Sequence, residues 1–301
     1  MTLISRATIL AAAMTSALGT SALAADGVVA KRGYAENRFG QIHYYSFEPA
    51  GGPGKTTPMA FFHQNPKSAV EFEPLTSEMG KDRLVLAFDT PGYGMSDRPA
   101  EAPSMSDLAG SMADALKALG YGKRGRQVDV FGFHTGAYIA AELAVAHPEL
   151  VRRVVMSGVG YYSVERRKQI YDGLPRDGVI PEDASFVVRR WYSVVNSRTP
   201  GIPIERAARI FLDDVRSLNK SWFAYNAVWS YVPEDRLPRI SQPVLLLQPH
   251  EMLLNETRAV KRDLLPNATL IEIPGVTRDV FDTGPMDYAK HLRAWLDAPA
   301  K

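Results

Sequence analysis

The stretch Val128-Asp129-Val130-Phe131-Gly132-Phe133-His134-Thr135-Gly136-Ala137-Tyr138-Ile139-Ala140-Ala141 decides how this chain is read. Its first part, with Gln127, is a short apolar run of the kind that fills a strand covered on both faces. Its last part, with the residues that follow, carries Ile139, Ala140, Leu143 and Ala144 at helical spacing, stopped near Pro148. Two glycines, Gly132 and Gly136, bracket the point where strand becomes helix, and a histidine stands between them.

Outward from that turn the same alternation repeats. Runs at 41–47, 59–62, 83–88, 153–156, 244–247 and 269–273 read as further strands. Leu108, Met112, Ala115, Leu116 and Leu119 mark one face of a helix that Gly120 ends, and Tyr288, Leu292, Trp295 and Leu296 mark the last helix. Buried strands alternating with helices predict an α/β fold with a doubly wound, mostly parallel sheet. The rhythm breaks over about 161–239. That stretch has no strong buried strand and is rich in Arg, Asp and aromatics, Trp191, Trp222 and Trp229 among them. It falls between two core strands, so it is expected to form an inserted helical lid over the carboxyl edge of the sheet, where ligands bind. The three tryptophans are candidates for a substrate pocket; alternatively they are the lid's own core.

Bulk properties bound the rest. The chain has 301 residues, 46% of them hydrophobic, which is enough for one large domain. The net charge is +2, with both signs mixed along the chain, so no nucleic-acid footprint or polybasic tether is expected. Residues 1–24 read as a secretory signal peptide: Arg6 opens it, a short apolar run follows, and Ala22-Leu23-Ala24 fits a small-x-small cleavage pattern. The folded domain is then expected over 26–301, periplasmic or secreted, with no stable membrane span after cleavage; the alternative is an uncleaved anchor. There are no cysteines, which excludes thiol nucleophiles and zinc–thiolate sites. The six histidines show no metal-binding spacing, so no metal and no cofactor are expected.

Three local patterns together resemble the α/β-hydrolase superfamily. Phe61-Phe62-His63-Gln64-Asn65-Pro66 is similar to its HGxP loop, and Asp89-Thr90-Pro91-Gly92-Tyr93-Gly94-Met95-Ser96-Asp97 to its DxPGxGxSD loop. Gly132-Phe133-His134-Thr135-Gly136 matches the GxSxG nucleophile elbow at both glycines and departs at its centre. The resemblance runs from about residue 32 to the C-terminus, and suggests a divergent subgroup with a GxHTG elbow. It implies a strained turn that projects the central side chain from the sheet edge, with glycines clearing the neighbours. It also implies an oxyanion hole from the N–H of Thr135 and that of Gln64 or Asn65, and a supporting or pocket role for His63.

The family's acid and histidine positions are replaced as well. The acid position aligns with Met252, one residue from Glu251, and the histidine position aligns with Arg278. A Ser-His-Asp acyl-enzyme is therefore unavailable at these positions. An imidazole at His134 can act as a base or acid near neutral pH. Glu251, Asp279 or Asp282 is a candidate to orient it; Arg278 is a candidate to bind a carboxylate or enolate, the alternative being an ion pair with one of those three acids. The expected function is hydrolysis of a small, fairly apolar organic molecule by a non-serine route. The alternatives are a pseudoenzyme that binds a small ligand or a partner, with His134 a polar pocket-floor residue, and a lyase or isomerase using His134 as general base.

Overall fold

The computed structural model describes residues 23–25, 27–176, 182–217 and 220–299. Nine strands form one sheet among the described residues: β1 Leu23–Ala25, β2 Val28–Asn37, β3 Gly40–Pro49, β4 Met59–Phe62, β5 Val85–Phe88, β6 Val128–Phe133, β7 Val151–Ser157, β8 Val244–Pro249 and β9 Thr269–Ile273. Their spatial order is β1-β2-β3-β5-β4-β6-β7-β8-β9. The six strands from β5 to β9 pair in parallel, and β1, β2 and β3 add antiparallel pairs at one edge. The sheet is thus mostly parallel and doubly wound, as the alternation of buried strands and helices predicts.

The continuous apolar runs sit where both faces are covered. Every residue of β4, β5, β6 and β8 is buried. One face packs on α2 (Met105–Ala118) and α3 (Thr135–Ala146) through Leu108, Met112, Leu116, Ile139 and Leu143. The other packs on α1 (Glu73–Met79) and, further along the chain, on α10 (Val280–Thr283) and α11 (Pro285–Leu296) through Leu75, Phe281, Tyr288, Leu292 and Leu296. Burying each such side chain stabilises the fold by about 1.5–3 kcal/mol.

The first strand of the pattern is β3, and β2 was not expected. Val28–Asn37 reads as weak because it is an edge hairpin arm whose residues are mostly half-buried or exposed, so its apolar residues do not alternate cleanly. Residues 1–22 lie outside the described residues, and with them most of the expected leader. Leu23–Ala25 pair with Val28–Ala30, so β1 crosses the point where cleavage was expected.

Between β7 and β8 the described chain is all helical: α4 (Val164–Asp172), α5 (Ser185–Trp191), a π turn at Tyr192–Asn196, α6 (Ile204–Arg216), α7 (Phe223–Ser230) and α8 (Pro233–Arg236). α9 (Leu254–Asp263) then follows β8. The insertion is tied to the core by charge as well as by packing. Arg206 of α6 forms an ion pair with Asp282, with Nε 2.7 Å from Oδ1, and donates to the carbonyls of Val70 and Glu71.

Candidate active site

The elbow is built by close backbone approach. A Cβ on Gly132 would lie 2.0 Å from Gly136 O, and one on Gly136 would lie 1.8 Å from Phe62 O. With both neighbours reduced to glycine, β6 turns directly into α3. His134 takes up the turn at φ 50° and ψ −111°, a left-handed conformation that a non-glycine residue adopts only at a cost of about 1–3 kcal/mol. Its N–H donates to Ser157 O on β7, at 2.9 Å. Its ring stacks on Phe133, centroids 4.1 Å apart, and packs over Gly158, where a Cβ would come within 2.3 Å of His134 Cδ2. Phe133, Ser157 and Gly158 therefore fix both the backbone and the ring.

Glu251, on the loop after β8, is the carboxylate that meets it. His134 Nε2 lies 3.3 Å from Glu251 Oε2. The other oxygen, Oε1, accepts from Gln248 Nε2 and from Leu253 N–H, each at 3.0 Å. Gln248 is itself fully buried and accepts from Gly158 N–H at 2.9 Å, so one side chain ties the acid loop to the strand beside the elbow. Burial opposes ionisation of Glu251, but the hydrogen bond and charge of His134, with the donors of Gln248 and Leu253, hold its pKa below the usual carboxylate value. An ionised carboxylate only accepts, so in the neutral form of the ring Nε2 carries the hydrogen toward Glu251 and Nδ1 keeps its lone pair.

The imidazole stands between two cavities. One, of about 210 Å³, holds the polar groups Lys67, Glu71, Thr277, Arg278 and Asp279 beside the apolar side chains of Phe133, Ile210, Val280 and Phe281. The other, of about 260 Å³, is aromatic and apolar, with Tyr138, Tyr162, Tyr225, Val228, Trp229 and Leu253. Among the described residues, Gln64, His134 and Met252, the neighbour of Glu251, border both. Asn65 and Thr135 face the aromatic side. Thr135 opens α3, where the N–H groups have no intrahelical acceptor and the helix dipole favours negative charge.

The structure places several of the expected site residues differently. Asp279 borders the polar cavity but does not orient His134: its Oδ2 accepts from Thr199 N–H and Oγ1, at 2.8 and 2.6 Å. Arg278 forms no ion pair with Asp279, Asp282 or Glu251; its Nη2 donates to Ser197 O at 2.6 Å. The Gln64 N–H, an expected oxyanion donor, is taken by Glu71 Oε1 at 2.9 Å, and the Gln64 side chain donates to Glu71 Oε2 at 2.8 Å. His63 does not border either cavity. It is fully buried and braces the loop, with Nε2 accepting from Thr90 N–H and Nδ1 2.8 Å from Gln64 O. Of the three lid tryptophans only Trp229 borders the site. Trp191 packs edge-on against Phe211, a member of the insertion's own small core, and Trp222 packs edge-on against its sequence neighbour Phe223. Among the described residues no three His, Asp or Glu side chains converge as a metal-ligand set.

Glu71 was not anticipated. Its stretch, Ala69-Val70-Glu71-Phe72, forms a buried 3₁₀ turn, and a lone Glu in such a run gives no periodic signal. Burial pushes its carboxyl up from 4.5 to about 7, against the pull of Lys67 and of the Gln64 donors and with Asp214 adding to the rise. A raised acid pKa in the folded state means that the unfolded chain gives up this proton more readily. The linked stability is therefore fullest below about pH 4.5 and is lost as pH rises through about 7, by about 3 kcal/mol in all. Glu71→Gln is expected to remove that slope. Urea unfolding of both proteins between pH 4.5 and 8 checks it, and parallel stability curves would refute it.

A family model described as the alpha/beta hydrolase family matches residues 53–291. The chain is 25% identical over 254 residues to 2-(acetamidomethylene)succinate hydrolase of Mesorhizobium japonicum, covering 80% of this chain and 88% of that one. Among solved structures, a hydrolase from Pseudomonas aeruginosa superposes with a TM-score of 0.70 at 15% identity, over 89% of this chain and 98% of that one. The structure of E-2-(acetamidomethylene)succinate hydrolase does so at 0.65 and 22% identity, over 85% and 96%.

Proposed function

Because this chain belongs to the alpha/beta hydrolase family, we propose that it is a hydrolase acting on a small organic substrate without a serine nucleophile, with the His134–Glu251 pair as its general base. The observation that carries the reading is the pair itself: a strained elbow imidazole, one nitrogen 3.3 Å from a buried carboxylate, between two cavities. Nδ1 takes a proton from water, whose oxygen adds to the substrate's carbonyl carbon. Negative charge develops on the carbonyl oxygen beside the start of α3, where the Thr135 N–H can stabilise it. The apolar part of the substrate occupies the aromatic cavity. The hydrolases that this chain resembles agree with the reaction class. Export is a further proposal and rests on the leader-like composition of residues 1–24.

One observation favours the second reading, a ligand-binding pseudoenzyme: Glu71 already occupies the Gln64 N–H. A panel of small 4-nitrophenyl esters, assayed before and after saturating treatment with a fluorophosphonate, separates the two. Hydrolysis is expected, at a rate the reagent leaves unchanged. A labelled serine with loss of activity rejects the elbow reading. Absence of turnover across the panel favours the pseudoenzyme.

A further inference from the structure

The hydrogen-bonding capacity of the polar cavity can be counted. Its carboxylates are already engaged by protein donors. Glu71 takes both donors of Gln64, and Asp282 takes two from Arg206. Asp279 takes two from Thr199, and Glu251 takes those of His134, Gln248 and Leu253. Its two cations are not engaged to the same degree. Arg278 is exposed; among the described residues its five N–H groups make one hydrogen bond, to the Ser197 carbonyl. Lys67 is half-buried at the cavity wall, and its ammonium makes no hydrogen bond or ion pair with any described residue. What the cavity has to spare is donors on positive groups, and that matches an anion with several acceptor atoms.

The aromatic cavity is lined mainly by rings, and the Asn65 amide is a polar group there with no hydrogen-bond partner among the described residues. The Tyr138 hydroxyl is spent on Gly160 O and the Tyr225 hydroxyl on Asn65 O. Trp229 and Tyr162 lie ring to ring with centroids 5.6 Å apart. These side chains offer ring surface to a ligand, which suits a flat apolar group.

We propose that the polar cavity is a carboxylate subsite, with Lys67 and Arg278 as its cations, and that the substrate class is an acylated amino acid. Its apolar acyl group lies against Trp229, its carbonyl beside His134 and its carboxylate at Lys67. This deepens the hydrolase reading and rests on it for the reaction, though not for the binding. With N-benzoylglycine as the probe, water adds its oxygen to the benzoyl carbon and gives a proton to His134 Nδ1. The C–N bond then breaks as that proton passes to the departing nitrogen, and the products are benzoate and glycine.

Binding is measured first, by calorimetry on the His134→Ala protein, with N-benzoylglycine and its methyl ester. The carboxylate form is expected to bind at least about tenfold more tightly than the ester, a preference that added salt weakens. Lys67→Met in the same background should reduce the preference to within about twofold, whereas Trp229→Ala should weaken both ligands alike. Equal binding of acid and ester, a preference that survives Lys67→Met, or no binding of either overturns the subsite. Turnover by the wild type is a separate readout. N-benzoylglycine that binds at Lys67 and is never hydrolysed counts against the His134 reading and leaves the subsite standing. Ester hydrolysis through His134 with no N-benzoylglycine binding does the reverse.

Discussion

Gly136→Ala is expected to cost more than about 4–5 kcal/mol, enough to leave little folded protein. In an ordinary helix the same change is stabilising, because alanine has the better helix propensity by about 1 kcal/mol. Here the sign reverses for a local reason. The new methyl carbon would sit 1.8 Å from Phe62 O, 2.5 Å from Phe62 C and 3.0 Å from His63 O. All three are backbone atoms, so no side chain can rotate away. α3 must lift off β4, and the buried contacts of Ile139 and Leu143 go with it. Gly275 is the control: it lies in open space, with nothing within 4 Å of a Cβ, and Gly275→Ala should stay within about 0.5 kcal/mol of the wild type. Urea unfolding of the two variants makes the comparison. A Gly136→Ala protein as stable as the wild type would mean that α3 does not start at Thr135 against β4.

That same crowding explains why the fold was legible. The pattern at 127–144 can be read because geometry leaves few options for its residues: an apolar strand, a glycine where two backbones meet, a second glycine where the helix crosses a strand. The continuous runs at β5, β6 and β8 are buried on both faces and so advertise themselves. β2 does not, because an edge strand can be built from almost any residues that tolerate extension. The helical insertion was visible as a break in rhythm rather than as a pattern of its own.

The site was legible only in part. His134 is set by the elbow, and Glu251 lies on the loop after β8, so chain order alone brings both to one edge of the sheet. Beyond that, side-chain direction decides, and one sequence does not specify it. Asp279 and Arg278 stand at the correct edge, but Thr199 and the Ser197 carbonyl of the insertion hold them. Their partners lie about eighty residues away along the chain, in a region whose packing has no short-range signature. Glu71 was missed for the converse reason. Its significance comes from burial and from Gln64, and nothing in its neighbours along the chain distinguishes it from a surface glutamate.

The other large effect expected is on rate, from the imidazole itself. His134→Ala removes the group that accepts the water proton, and a positioned general base contributes about 10²- to 10⁴-fold. The change should leave the fold intact, since the backbone bond from residue 134 to Ser157 O and the glycines around the turn remain. Glu251 would lose the hydrogen bond and charge of His134 that help to hold its pKa down, so its carboxyl should titrate higher in the variant. Hydrolysis rates of wild type and His134→Ala, taken side by side on one 4-nitrophenyl ester with folding checked by urea unfolding, test the whole assignment most directly. The pair reading predicts a folded variant slower by about a hundredfold or more; a folded variant that hydrolyses the ester at the wild-type rate would contradict it.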